Sequence, residues 1–185
     1  TIFIRSDDPV RKSIGEILSA ELENIGFTVK KDYGDLNKAF VVVYGSNPAD
    51  SKWNLYTEGW GRSAFVKYDS IGLSQMYSPW FSNMPGFNDP EYWNYENKKL
   101  DDLTQEIYKG SFETSEKRTQ LIQEAVVEGI NESVRIFLAS KIDQYVVNQN
   151  VEGVINDLGA GVPSRFTPIN AKNNDNQLII AVKQI

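Results

Sequence analysis

The chain has neither cysteine nor histidine among its 185 residues, so any acid–base or nucleophilic chemistry falls to carboxylates and lysines. That excludes thiolate nucleophiles, disulfides and cysteine-type zinc sites. It equally excludes Ser-His-Asp catalysis and histidine-ligated metals. Several carboxylates stand beside aromatic residues: Glu58 precedes Gly59-Trp60, Asp69 follows Tyr68, and Asp89 and Glu91 flank Pro90. A glycosidase needs two carboxylates facing one sugar bond at a set separation, which makes Glu58 and Asp69 the candidate pair. No spacing in the sequence joins them, and solvated surface acids or loop caps account for them as simply. Asp101-Asp102 with Glu106 lacks the signature of a calcium loop. Acids at a helix start, favoured by the helix dipole, explain Asp101 and Asp102 better. No metal and no cofactor is expected.

The other chemistry on offer is stacking. All four tryptophans lie between Trp53 and Trp93, and the stretch 53–95 holds twelve of the chain's 22 aromatic residues. Gly59, Gly61, Gly72, Pro79, Pro85, Gly86 and Pro90 interrupt it, so much of it reads as loop. Aromatics on a glycine- and proline-rich loop line pockets for small organic ligands; they also tie loops to a core. The order Trp53 to Trp60 alternates like a strand ending in Gly59-Trp60-Gly61. Such a turn presents an indole at a cleft while its glycines let a ligand approach the backbone. It has no Lys-Ser/Thr and too few glycines for a phosphate loop.

A formal charge of −6 argues against a nucleic-acid surface. No apolar stretch approaches the ~20 residues of a membrane-spanning helix. The hydrophobic content, 41%, suffices for a core.

These residues must be positioned by the elements around them. Ile2-Phe3-Ile4 reads as a strand, Asp7-Asp8-Pro9 as a helix start, and Val10, Ile14, Ile17, Leu18, Leu22 and Ile25 recur at helical spacing up to Gly26. Phe27 to Lys30 alternates like a second strand, giving a β-α-β unit. Residues 36–48 mix a helical Leu36–Phe40 with a strand-prone Val41–Tyr44. A short helix is expected at 70–77. Leu100, Leu103, Ile107 and Tyr108 mark a helix at 98–109 stopped by Gly110, and Ser115 caps another with Leu121, Ile122, Ala125, Val126 and Ile130 on its buried face. Val134–Leu138 and Ile142–Val147 read as two strands joined by a turn, and Leu178–Val182 as a last strand. An end in mid-strand is expected of a piece of a larger protein.

In this order the segments resemble the C-terminal lobe of extracellular solute-binding proteins of the family-5 type, the peptide, nickel and sugar receptors of ABC importers. The resemblance spans about residues 2–155. It rests on Ile2–Arg11 with Leu22–Val29, on Trp53–Gly61, and on Tyr95-Glu-Asn97 before Leu100–Leu103. It continues in Glu116-Lys-Arg118 with Gln123-Glu-Ala125, and in Ser133–Phe137 with Tyr145–Val147. It implies an α/β lobe with a mixed sheet and flanking helices, half of a two-lobed clamshell. Residues 1–158 would be the ligand-binding lobe and 159–185 a tail returning toward the missing lobe.

In that family the Gly-Trp turn lines the cleft, a role that carries to Gly59, Trp60 and Gly61. Peptide-binding members place an aspartate three residues after this tryptophan, where it holds the peptide's amino group; here that position is Ser63, preceded by Arg62. An oligopeptide and an oligosaccharide both remain open. The expected ligand-binding set is Tyr56, Glu58, Gly59, Trp60, Gly61, Arg62, Ser63, Tyr68 and Tyr77. The resemblance further implies ABC transporter membrane subunits as partners, no nucleic acid, and an extracytoplasmic place with a membrane anchor outside this chain. The alternatives are a carboxylate glycoside hydrolase using Glu58 and Asp69, and an interaction module without a ligand.

Overall fold

Ile2, Phe3 and Ile4 are wholly withdrawn from solvent, and the fold is built around them. The computed structural model describes residues 1–50, 52–60, 68–81, 83–87, 89–140, 142, 144–157, 161–162 and 164–175, with 68–70 as backbone only. The chain divides into two compact units; the first comprises Thr1–Trp60 and Tyr68–Ile136, and the described residues of the second all follow Ile136.

In the first unit, β1 (Ile2–Arg5) is the central strand of a three-stranded sheet in the order β2-β1-β3. Asp8 caps α1 (Pro9–Asn24), its carboxylate accepting from the amides of Val10 at 2.9 Å and Arg11 at 3.1 Å, with Pro9 in the first turn. Gly26, at φ 98°, closes that helix in the left-handed conformation glycine tolerates best. The chain then returns as β2 (Lys31–Gly34), pairing Ile2 with Lys31 and Arg5 with Gly34 in parallel. After α2 (Leu36–Ala39) and a π-helical turn, Phe40–Tyr44, it enters β3 (Leu55–Tyr56), parallel to β1 on its other side. The two faces of β1 follow from its alternation. Ile4 packs so closely on α1 that a Cβ on Gly15 would lie 2.7 Å from it. Phe3 faces Ala39, Val43, Trp53 and Tyr56.

The sequence expectations need three corrections here. The second strand is Lys31–Gly34, not Phe27–Lys30; Phe27 is 61% exposed. The strand-prone Val41–Tyr44 is helical. Among the described residues the sheet is parallel, not mixed, because Val134–Leu138 and the described part of 142–147 form no strand.

The rest of the first unit is helical. The helix expected at 70–77 is α3 (Tyr68–Tyr77), and the one at 98–109 is α4 (Lys98–Lys109), capped by Asn97 and ended by Gly110 at φ 70°. Thr114, not Ser115, caps α5 (Ser115–Glu132), accepting from the Lys117 amide at 3.1 Å. Tyr77, Leu100, Leu103, Ile107, Leu121 and Ala125 form the core between these helices. In the second unit, Glu152 and Lys172 form an antiparallel bridge beside α6 (Phe166–Asn170), a helix the sequence did not announce. The Thr167 hydroxyl lies 3.1 Å from the Ile155 carbonyl and 2.6 Å from that of Val162. The strand expected at 178–182 lies outside the described residues. No helix among the described residues is long and apolar enough to cross a membrane.

Candidate functional site

With β2 on one flank of β1 and β3 on the other, the chain leaves β1 in one direction and comes back on the opposite side. In open α/β sheets this switch point, outside the carboxyl ends of the strands, is where ligands bind. Here those ends are Arg5 on β1 and Thr57 to Trp60 beyond β3.

Backbone pairing carries past β3: the Thr57 amide donates to the Phe3 carbonyl at 3.1 Å, and the Arg5 amide donates to the Thr57 hydroxyl at 3.0 Å. Glu58, Gly59 and Trp60 therefore emerge directly beside the end of β1. Arg5 is 6% exposed. Its guanidinium grips Asp7 with two bonds, of 2.7 and 2.8 Å, and donates to the Tyr56 hydroxyl at 3.2 Å. That bidentate contact holds the Asp7 carboxyl at about 2, well below the usual carboxylate range, and raises Arg5 in turn.

Glu58 is clamped from two sides. The Tyr44 hydroxyl donates to its Oε1 at 2.5 Å, and the Arg135 guanidinium forms an ion pair with its Oε2. Burial pushes the Tyr44 phenol above its ordinary value, so it stays a donor. Arg135 also donates to the carbonyls of Met76 at 2.5 Å and Asn83 at 2.8 Å. Its burial lowers its affinity for the proton, but a guanidinium paired with a carboxylate remains a cation. The same guanidinium lies 5.5 Å from the centre of the Trp60 ring. Arg11 reaches over Gly59 to donate to its carbonyl at 3.1 Å. A Cβ on Gly59 would lie 2.6 Å from the Arg11 side chain, so the glycine leaves room for it.

Three guanidiniums thus face three carboxylates: Arg5 with Asp7, Arg11 with Asp8, and Arg135 with Glu58. Among the described residues the edge is rich in polar groups but balanced in charge. Trp60 stands on it 41% exposed. It offers a large apolar ring, with the described charges near it already committed.

Of the expected site residues, Tyr56, Glu58, Gly59 and Trp60 come together at this edge. Tyr56 serves the network more than the surface, its ring 5.6 Å from that of Phe3 and its hydroxyl occupied by Arg5. Tyr77 does not join them: at 3% exposure it is a member of the helical core, its ring against Gly129, and presents no face to a ligand. Gly61, Arg62 and Ser63 lie outside the described residues, as do the side chains of Tyr68 and Asp69. Sequence reasoning missed Arg5, Asp7, Arg11, Tyr44 and Arg135 as members of the site. The one available signal for Arg135 was a lone cation inside the apolar run Val134–Leu138.

Comparison with protein-family models, with curated proteins and with solved structures returned no match.

Proposed function

We propose that this chain captures a small neutral or zwitterionic organic solute, an oligopeptide or an oligosaccharide, by stacking it on Trp60. The observation that carries the reading is an indole left half-exposed at the carboxyl edge of a parallel sheet, beside its switch point, where the neighbouring charges of the described residues Arg5, Asp7, Asp8, Arg11, Glu58 and Arg135 are paired with one another. Among the described residues a free anion or cation would find no unmatched partner in that network. A sugar ring or a peptide side chain gains from burying indole surface and from backbone groups near Gly59.

The resemblance to family-5 solute-binding receptors gives the wider role. The chain would be one lobe of a clamshell that closes on its solute outside the cytoplasm and presents the closed form to ABC transporter membrane subunits. The glycoside hydrolase reading is disfavoured by Glu58. A general acid or nucleophile must be free to exchange a proton or meet an anomeric carbon, and this carboxylate is held by Tyr44 and Arg135. The reading is therefore capture without conversion.

Trp60→Ala tests it. Against panels of oligopeptides and oligosaccharides, calorimetry should show a loss of roughly 1–3 kcal/mol in affinity with the melting temperature nearly unchanged, as expected of an exposed aromatic anchor. Unchanged affinity, or a steep fall in melting temperature, would make Trp60 a structural residue.

A further inference from the structure

An exposed indole on a turn is free to rotate about two side-chain bonds, and a solute that stacks on it must first stop that rotation. At Trp60 two arginines limit the freedom. Arg11 holds the backbone one residue earlier, at the Gly59 carbonyl. Arg135 meets the ring itself: its guanidinium carbon lies 5.5 Å from the ring centre, within the range of a cation–π contact.

The Arg135 guanidinium suits this task because its edges are taken. Nε donates to the Met76 carbonyl at 2.5 Å. Nη2 donates to the Asn83 carbonyl at 2.8 Å and lies 3.7 Å from Met84 Sδ. Nη1 pairs with Glu58, which Tyr44 holds in turn. Contacts at all three nitrogens fix the plane of the group and leave its two faces. Those faces are the weakly hydrated part of an arginine, and the part that stacks on aromatic rings. We propose that Arg135 is the positioning residue of the Trp60 platform, holding the indole in one orientation before solute arrives. The inference rests on the reading that solute stacks on Trp60. A lysine at this position would keep the charge, but a compact ammonium has no flat face to set against the ring.

The test follows the indole N–H signals of the ¹⁵N-labelled chain, Trp60 being assigned by its loss in Trp60→Ala. In the free protein the ¹H–¹⁵N NOE of the Trp60 indole should match that of Trp53, which is fixed by its bond to the Val42 carbonyl at 3.1 Å. In Arg135→Lys the Trp60 NOE should fall and the Trp53 NOE should stay, which separates lost positioning from general loosening. Where trialanine or maltotriose binds the wild-type chain, Arg135→Lys should weaken it about two- to tenfold, the cost of ordering one side chain. If Arg135→Lys does not fold, Trp60→Ala carries the test from the other side. Removing the ring's shielding from an exposed position should move the Arg135 Nε–H signal downfield. A Trp60 indole already mobile in the wild-type chain would overturn the proposal. So would a Trp60 NOE unchanged in Arg135→Lys, or an Arg135 signal indifferent to Trp60→Ala. The NOE and the Arg135 signal are read without ligand. A chain that holds the ring still through Arg135 and takes up neither trialanine nor maltotriose would therefore refute capture at Trp60 while bearing out the positioning.

Discussion

Replacing Arg135 by methionine should destabilise the first unit by about 3–4 kcal/mol, because one side chain holds three segments together. Breaking a buried ion pair from one side costs about 3–5 kcal/mol. The Arg135 and Glu58 side chains retain 11% and 19% exposure, which favours the lower part of that range. The contacts to the Met76 and Asn83 carbonyls add to the loss, since bonds from a charged donor contribute roughly 1.5–3 kcal/mol each. Methionine refills part of the volume and offsets some of it. Against a total stability of about 5–15 kcal/mol, the change is large and readable by urea unfolding. The decisive form is a double-mutant cycle with Glu58→Gln, which should give a coupling of about 2 kcal/mol, little altered by salt because the pair is mostly buried. Additive single effects, within about 0.5 kcal/mol, would show that the pair does not organise this edge and would refute the reasoning.

Gly129→Ala should cost about 1–3 kcal/mol in urea unfolding, since its Cβ would lie 2.5 Å from the buried Tyr77 ring, whereas Gly72→Ala, with open space at its Cβ, should be neutral or stabilising. Asp101 is buried in α4, one of its carboxylate oxygens without a partner, and burial followed by the charge of Glu96 raises its pKa, with Asp102 adding to that and Ser78 and Lys98 opposing it. Its folded pKa lies above the unfolded ~3.9, so its contribution is favourable below that pH and is lost as pH rises. Asp101→Asn should therefore raise the melting temperature at pH 7 and flatten its pH dependence; a lower melting temperature at pH 7 would count against this. For Asp7 the sign is opposite: its stabilisation is present above ~3.9 and fades as pH falls toward about 2. NMR titration should place its midpoint near 2, returning toward the ordinary range in Arg5→Gln.

Where local chemistry decides an element, the sequence was readable. Asp8-Pro9 and Gly26 bound α1, and Asn97 and Gly110 bound α4, because caps and left-handed glycines act within a few residues. Tertiary pairing decided the rest. Phe27 and Val29 alternate as a strand should, yet β2 is an edge strand whose register is set by β1 and by Lys31 and Tyr33 meeting Glu16 on α1. Val41 to Tyr44 has strand propensity, but its turn directly continues α2, the helix that Asp35 caps. The Val41, Val42 and Val43 carbonyls at its end are met by Ser46, Trp53 and Gly86. Val134–Leu138 shows the limit of β propensity, which measures fit to a pleated, half-buried surface; here the run is held at Arg135 by polar contacts and has no strand partner among the described residues. The site divided in the same way. Gly59-Trp60 was visible as a turn that displays an indole. Its partners Tyr44 and Arg135 come from 16 residues before Trp60 and 75 after it, distances at which no local pattern speaks.

The central claim is that solute lands on Trp60, and the most direct measurement is the Trp60 indole N–H and Gly59 amide signals of the chain during titration with a tripeptide and with a trisaccharide. One platform offers only part of a clamshell's contact surface, so affinity should be weak, about millimolar. One of the two ligand classes should still shift both signals in a saturable way, an effect absent in Trp60→Ala. If neither class moves them, or if the ligand that binds shifts other tryptophans and keeps its affinity in Trp60→Ala, the chain does not capture solute at this edge.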